Sequence, residues 1–347
     1  MSELRSDGAA PVPGLTWRDE VPARRLLDDD LETRFPLPPG DRPLVEPGAT
    51  VLPGDPLLER LRDRRIDEVV IHGGDQEPFP GRRWAPPPGR RRRDRAVEGE
   101  LLAPMAGKGD RWRLVTGEHR VPLPSPVAGR VTGVRPGAEI RVRPDGRALR
   151  GAFAAGSAAR GRLELATDPF GELRPGGIDV GRAGSILVVG SRIDAEALTR
   201  ARAMGVRGIV VATLPGKELR DFQASERRQR AALHPIPPFG VLVLEGVVRR
   251  PISSTVTALL ERHAGRHVAL LVDPPALVFE GEDPGAQVPD PDWVRIRSGP
   301  NAGAEGRLLG PAGLRRFAAG VHLEAAFVEI EGEAPIAVPM GDLERYA

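Results

Sequence analysis

Residues 184–213 constrain the fold of this chain more than any other stretch. They hold two continuous apolar runs, 186–189 and 209–212, and between the runs lies a segment with helical spacing. Continuous apolar runs are typical of strands covered on both faces, and apolar positions three to four residues apart are typical of an amphipathic helix. The pattern predicts strand, helix, strand, and therefore an α/β layer in the middle of the chain.

Capping signals set the bounds of the elements in this layer. Asp194 is placed to cap a helix over residues 195–204, and Gly205 is placed to end it in the left-handed conformation. The same signals predict a helix from about 217 to 230 and another that starts with Pro251 in its first turn and Ser253 nearby and runs to 261, and further strands at 241–244 and 268–272. Alternating strands and helices with short connections predict a small, mostly parallel α/β sheet of unassigned family over residues 171–280.

The loops that follow these strands carry glycines and polar residues. Ligands of open parallel sheets collect there, because helix amino termini present free N–H groups. The candidates for a weak anion site are Gly190, Ser191, Gly216, Lys217, Arg249 and Arg250. A simpler interpretation stays open, in which Ser191 is a turn residue and Lys217 a solvated first-turn side chain. Neither a dinucleotide fingerprint nor a Walker loop accompanies the strands.

Composition bounds the class of protein. A chain of 347 residues is long enough for two or three domains, and its 37 prolines and 42 glycines favour many turns and short strands beside the α/β layer. The absence of cysteine excludes disulfides, thiolate nucleophiles and cysteine-bound metals. The formal net charge is only +2. The amino terminus has no apolar signal region and no run is long enough for a membrane span, so we expect a cytoplasmic protein without membrane contact.

The amino-terminal half has the rhythm of short strands and turns. Residues 1–40 look like a partly ordered arm, and residues 41–170 form a β domain in which Pro-Gly turns recur. The sequence SPVAGRV at 125–131, with a fainter copy at 103–107, resembles the half-motif of biotinyl/lipoyl-like barrel-sandwich hybrids. The resemblance implies a hybrid barrel used for docking. The domain's one lysine, Lys108, lies outside the carrier context, so no covalent biotin or lipoate and no other cofactor is expected.

An arginine-rich insertion interrupts this β domain at about 76–100. Arginines around a tryptophan can neutralise phosphates while the ring stacks on a base. The candidate nucleic-acid contacts are Trp84, Arg90, Arg91, Arg92 and Arg93. The alternative is a solvated linker, which is common for tracts of proline and arginine.

The most specific motif follows a linker at 281–291. Residues 292–309, DWVRIRSGPNAGAEGRLL, resemble the KOW motif of ribosomal-protein and transcription-factor SH3-like barrels. The resemblance implies a five-stranded barrel over 292–347 that contacts RNA or protein, typically on a ribosome or an RNA polymerase. Strand alternation independently predicts that Val294 and Ile296 face a core and that Arg295 and Arg297 face out.

The candidate contacts on this barrel are Arg295, Arg297, Asn301, Arg307, Arg315 and Arg316. A different interpretation stays open, in which they are ordinary solvated residues on a barrel that binds protein or packs on its neighbours.

Catalytic sets are missing from the sequence. Of six histidines only His263 and His267 have a spacing that suggests metal ligands, and Gly265 separates them at a helix end. We therefore expect a multidomain protein, α/β plus all-β, that acts as a non-enzymatic adaptor for RNA or a ribonucleoprotein or transcription complex, with no metal and no catalytic residues. Two alternatives stay open: an anion- or nucleotide-binding α/β protein, which includes an enzyme, and a protein-only scaffold.

Overall fold

The computed structural model divides the chain into two compact units. The residues that it describes are 17–71, 78–85, 98–106, 111–230, 237–281 and 290–347. The larger unit comprises Met1–Leu31, Pro144–Glu226 and Pro237–Ala347, and the smaller unit comprises Glu32–Arg143 and Arg227–Ile236. Each unit has two β-sheets of its own.

Among the described residues, β-strands are the dominant element. In chain order the strands are β1 (Ala23–Arg24), β2 (Thr33–Pro36), β3 (Arg42–Pro43), β4 (Thr50–Val51), β5 (Pro56–Val70), β6 (Arg83–Trp84), β7 (Gly99–Pro104), β8 (Arg111–Pro124), β9 (Gly129–Arg135), β10 (Glu139–Pro144), β11 (Gly146–Arg150), β12 (Phe153–Gly156), β13 (Ala159–Leu165), β14 (Glu172–Leu173), β15 (Ser185–Ile193), β16 (Gly208–Thr213), β17 (Gly240–Gly246), β18 (His267–Leu271), β19 (Ala276–Glu280), β20 (Trp293–Ile296), β21 (Glu305–Arg316), β22 (His322–Ile330), β23 (Ile336–Pro339) and β24 (Leu343–Tyr346). The helices are α1 (Ala195–Ala203), α2 (Gly216–Arg230) and α3 (Ser254–Arg262), with short 3₁₀ helices at Trp17–Glu20, Pro175–Gly177, Val180–Arg182, Ala318–Gly320 and Met340–Asp342.

A nine-stranded mixed sheet forms the centre of the larger unit. Its order is β11-β19-β18-β13-β15-β16-β17-β12, and β14 pairs with β15. Only β13, β14, β15, β16 and β17 are joined in parallel pairs, and the other pairings are antiparallel. The sheet is therefore mixed rather than mostly parallel. The reason is that tight connections such as the one between β18 and β19 can join only antiparallel strands, whereas parallel neighbours need a crossover.

The helices begin and end where the sequence signals predict. The Asp194 side chain accepts a hydrogen bond from the N–H of Ala197 at 2.7 Å, and Gly205 follows α1 with a φ of +83°. Ser253 caps α3 by accepting from the N–H of Val256 at 3.2 Å. These predictions are confirmed because capping depends on neighbours in the sequence.

Apolar cores lie on both faces of the nine-stranded sheet. Along β15 the side chains alternate, so that Ile186 and Val188 join one cluster with α3, whereas Leu187 and Val189 join another with α1 and α2. Both clusters consist of buried aliphatic and aromatic side chains. Burial on both faces explains why the strands are continuous apolar runs.

Residues 146–165 belong to this same sheet. They form β11, β12 and β13, which pair with β19, β17 and β18 respectively. The sequence analysis assigns these residues to the amino-terminal β domain. Their partners lie more than 80 residues further along the chain. Sequence patterns favour pairing between consecutive strands, so they do not reveal these distant partners.

The second sheet of the larger unit has six strands in the order β1-β24-β20-β21-β22-β23. Five of them come from the carboxyl-terminal residues, and the sixth, β1, pairs in parallel with β24. The strands β21 and β22 form a long hairpin that extends to Arg316 and His322. Much of the stretch 310–320, which extends beyond the KOW-like residues, forms the end of this hairpin.

The amino-terminal segment contributes to both sheets of the larger unit. Val21 is buried in the core of the six-stranded sheet, and Leu26 and Leu27 are buried in a core of the nine-stranded sheet. The part of the predicted arm that begins at Trp17 is therefore built into the fold.

The smaller unit contains two sheets, with orders β2-β10-β9-β4 and β3-β5-β8-β7-β6. Its most extended feature is the antiparallel ladder of β5 and β8, which runs from Pro56 opposite Pro124 to Val70 opposite Arg111. The SPVAGRV motif leads into β9, and its Ser125 is buried with the hydroxyl donating to the carbonyl of Val127 at 2.7 Å.

Candidate functional site

The carboxyl edge of the parallel strands is where an anion site was predicted, but its polar groups are already engaged. The buried Ser191 hydroxyl donates to the carbonyl of Phe170 at 2.8 Å, and the Thr213 hydroxyl donates to the carbonyl of Ser191 at 2.6 Å. The N–H of Gly190 donates to the Thr167 hydroxyl at 2.8 Å. These hydrogen bonds thus engage Gly190 and Ser191, two of the six residues that sequence analysis offered to a ligand.

The chain's own carboxylates occupy two of the helix amino termini. Glu218, which is buried, accepts from the N–H of Ala195 at the start of α1 at 2.8 Å. Glu305 of β21 accepts from the N–H of Ser254 at the start of α3 with both carboxylate oxygens at 3.1 Å. A carboxylate at a helix amino terminus satisfies the same free N–H groups that would bind an external anion.

The basic candidates of this edge lie on different elements. Gly216 and Lys217 begin α2, with the Lys217 side chain exposed, whereas Arg249 and Arg250 lie in the connection between β17 and α3. Arg249 is exposed and Arg250 is half-buried beside Gly303, where an added side chain would meet the Cγ of Arg250 at 3.5 Å.

Arg295 is buried rather than facing solvent, which corrects the alternation argument. Only 4% of the residue is exposed. Its Nη1 lies 2.7 Å from Oε1 of Glu245, and its Nη2 donates to the carbonyl of Pro251 at 2.7 Å. The nine-stranded sheet covers the side of β20 that a lone barrel would leave in water, so both faces of this strand are buried.

The surroundings of this ion pair shift two pKa values. Burial raises the pKa of Glu245, although the charges of Arg295 and Arg24 oppose the shift. Burial also raises the pKa of Tyr346, with the negative charge of Glu245 as the next contribution. The Tyr346 hydroxyl lies 3.1 Å from the hydroxyl of Ser253, the capping residue of α3. A carboxylate, a guanidinium and a phenol thus join the two sheets of the larger unit.

The remaining arginines of the six-stranded sheet differ in their partners. Arg297 lies 3.4 Å from a carboxylate oxygen of Glu344, and Arg307 lies 4.0 Å from one of Asp290.

By contrast, Arg315 and Arg316 are exposed at the end of the long hairpin and form no ion pair with any described residue. Arg315 donates to the carbonyl of Ala312 at 2.9 Å and lies over the ring of Phe327 at 5.6 Å. Asn301 is exposed in the turn between β20 and β21.

Trp84 contributes to a small apolar cluster of the smaller unit. It packs against the buried side chains of Leu101, Trp112 and Leu114. Arg90, Arg91, Arg92 and Arg93 lie outside the described residues, as does Lys108. This packing explains why part of the Trp84 ring is buried, and the explanation needs no ligand.

Histidines and carboxylates form no metal centre in the described part of the chain, where no group of three or more such side chains could hold an ion. His263 is buried and stacks on Phe279 with ring centroids 4.1 Å apart. It therefore packs in the core beside α3.

Sequence reasoning missed the three glutamates that organise these regions: Glu218, Glu245 and Glu305. Each acts through a residue more than 20 positions away, so no local motif could reveal it. Only Glu245 could have been found from the sequence, because an acid that directly follows a continuous apolar run is a candidate for a buried ion pair.

In comparisons with known proteins, no protein-family model and no curated protein matches the chain. Across the ranges that the structure describes, no helix has both the length and the apolar character that crossing a membrane requires.

Proposed function

We propose that this chain is a non-enzymatic binding protein that contacts RNA, free or within a ribonucleoprotein, through the end of the hairpin formed by β21 and β22. One observation carries the proposal. Among the predicted contact arginines, Arg315 and Arg316 have exposed guanidinium groups and no ion-pair partner among the described residues.

We choose these two residues because no described carboxylate neutralises their charge. An arginine that binds a phosphate must not already be neutralised, because breaking an existing ion pair offsets the gain. Arg295, Arg297 and Arg307 all have carboxylates within 4.0 Å. Arg315 also lies over an aromatic ring, which orders its planar group for bidentate contact.

The resemblance of residues 292–309 to the KOW motif supports RNA as the ligand. β20 is followed by turns at Gly299 and Gly303, both with positive φ, and then by β21. A strand, a turn and a second strand is also the order that the KOW resemblance implies. The arginine-rich insertion at 76–100 would supply a second basic region.

The test compares the variant Arg315→Ala/Arg316→Ala with a charge-matched control. The control is Arg34→Ala/Arg130→Ala, since both residues are exposed on strands of the smaller unit and form no ion pair with a described residue. Binding of a single-stranded RNA is measured by fluorescence anisotropy at several salt concentrations. We expect the hairpin variant to bind about tenfold more weakly and the control to bind like the wild type.

Salt dependence sharpens the test. Each lost phosphate contact removes roughly 0.7 from the slope of log K against log salt for single-stranded RNA. The hairpin variant should therefore have a slope shallower by about 1.4, whereas the control should keep the wild-type slope. Equal losses in both variants would assign binding to net charge alone, and no RNA binding by the full chain would leave the protein-only scaffold.

A further inference from the structure

An open groove runs along the exposed face of α3, between this helix, the connection from β13 to β14 and the turn that precedes β21. It consists of two adjoining cavities of about 620 Å³ and 210 Å³. They share Pro169, Ile252, Thr257 and Glu261. The larger cavity has the size of a typical small-molecule site, and Gly190 places the smaller one at the carboxyl end of β15.

The floor of the groove is apolar. Ile252, Ala258, Ala302 and Ile330 line the larger cavity, and Phe170 stands at its rim with 73% of the residue exposed. Because α3 packs into the core through Val256, Leu259 and Leu260, its other face is free to line the groove. Such a surface binds the hydrocarbon part of a ligand.

Among the residues that the structure describes, every ionisable one that lines the two cavities is acidic: Asp168, Glu261 and Glu305. The chain as a whole has 50 basic and 48 acidic residues. The acidic character of the described lining is therefore a property of this groove and not of the whole chain. Arg250 approaches through its Cγ behind Gly303 but is not a lining residue. This charge pattern disfavours the anion that the sequence predicted and favours a cation.

Two of the polar lining groups lack partners. Glu305 is engaged with the amino terminus of α3 and with the indole N–H of Trp293, and Asp168 accepts from the N–H of Phe170 at 2.9 Å. The Glu261 carboxylate makes no hydrogen bond or ion pair with any described residue. One turn earlier on the same helix face, the Thr257 hydroxyl is inaccessible to solvent and has no hydrogen-bond partner.

We propose that this groove binds a small organic cation, a primary amine or guanidine with an apolar body. The cationic group donates hydrogen bonds to the Glu261 carboxylate, which lines both cavities. The hydrocarbon part lies against Ile252 and Ala258 and covers Phe170. A charge-assisted hydrogen bond supplies orientation, and the apolar floor supplies affinity.

The experiment titrates the full chain with three probes of equal length: hexylamine, 1-hexanol and hexanoate. Binding is measured by isothermal titration calorimetry and by chemical-shift changes of amides in α3. We expect hexylamine to bind saturably, 1-hexanol to bind at least about tenfold more weakly, and hexanoate not to bind. Equal binding of the alcohol, or binding of the carboxylate, would overturn the proposal.

Variants locate the site. Glu261→Gln should weaken hexylamine binding at least about tenfold, whereas Glu196→Gln, the same change on an exposed position of α1, should not. Ala258→Phe, which fills the groove, should abolish binding. Wild-type affinity in the Glu261 and Ala258 variants would place any amine binding elsewhere and refute the assignment.

Discussion

Glu245 holds a carboxylate where water has little access. Because burial raises its pKa above the ordinary value of 4.5, the unfolded chain loses this proton before the folded chain does as the pH rises. Ionisation of Glu245 therefore costs the folded state free energy. We expect the free energy of unfolding to fall as the pH increases from 4.5 through the raised pKa, and to level off above it.

Urea unfolding of the wild type and of Glu245→Gln across this pH range isolates the contribution, since all other titrating groups cancel in the difference. The wild type should lose stability relative to the variant as the pH rises. A difference that is independent of pH, or that favours the wild type at higher pH, would contradict the raised pKa.

Arg295 gives a second prediction about the same pair. Removing one partner of a buried ion pair leaves the other charge uncompensated, so Arg295→Met should lower the free energy of unfolding by about 3 to 5 kcal/mol. Replacing both, in Glu245→Leu/Arg295→Met, should restore most of that loss. Denaturant unfolding measures both variants, and strictly additive losses would show that the two side chains do not interact.

The ladder of β5 and β8 depends on a cluster of surface charges around Glu118. Hydrogen bonds from Arg120 lower the pKa of this carboxyl most, and the charges of Arg120, Arg42 and Arg64 add to the effect. A lowered pKa means that the stabilisation is present above the ordinary value of 4.5 and is lost as the pH falls through the folded value. The carboxylate thereby joins three strands, β3, β5 and β8.

We expect Glu118→Gln to destabilise this ladder by about 1 kcal/mol, because the group is partly exposed and screened. Hydrogen exchange of amides in β5 and β8 measures the loss, which should shrink at high salt. Glu59→Gln, which removes a charge from the same strand pair, is the control. An effect that persists unchanged in about 1 M salt would rule out an electrostatic origin.

At the level of elements, the sequence predicts structure that depends on neighbouring residues, and it does not predict structure that depends on residues far apart in the chain. The bounds of helix α1 were predicted to within one residue and those of α3 to within about three, because Asp194, Gly205 and Ser253 act on their neighbours. The mixed sheet was not, because β11 and β19 pair across more than 120 residues. Arg295 illustrates the same limit at the candidate site, since alternation separates the two faces of a strand but does not reveal what covers each face.

The larger unit is held together by contacts between its two sheets. The ion pair of Glu245 with Arg295 and the hydroxyl contact of Ser253 with Tyr346 join the nine-stranded sheet to the six-stranded sheet. The amino-terminal segment also connects the two sheets, because Val21 lies in the core of one and Leu26 and Leu27 lie in a core of the other. These contacts predict that the two sheets unfold cooperatively.

Val21→Ala tests that cooperativity. The substitution leaves a cavity in the core of the six-stranded sheet and should cost about 2 kcal/mol. If the larger unit unfolds as one, slowly exchanging amides of β16 in the nine-stranded sheet should lose as much protection as those of β22. Val180→Ala, an identical change at an exposed position of the same unit, should alter neither. Loss of protection in β22 alone would mean that the six-stranded sheet opens independently, and that the buried ion pair positions the two sheets without coupling their stability.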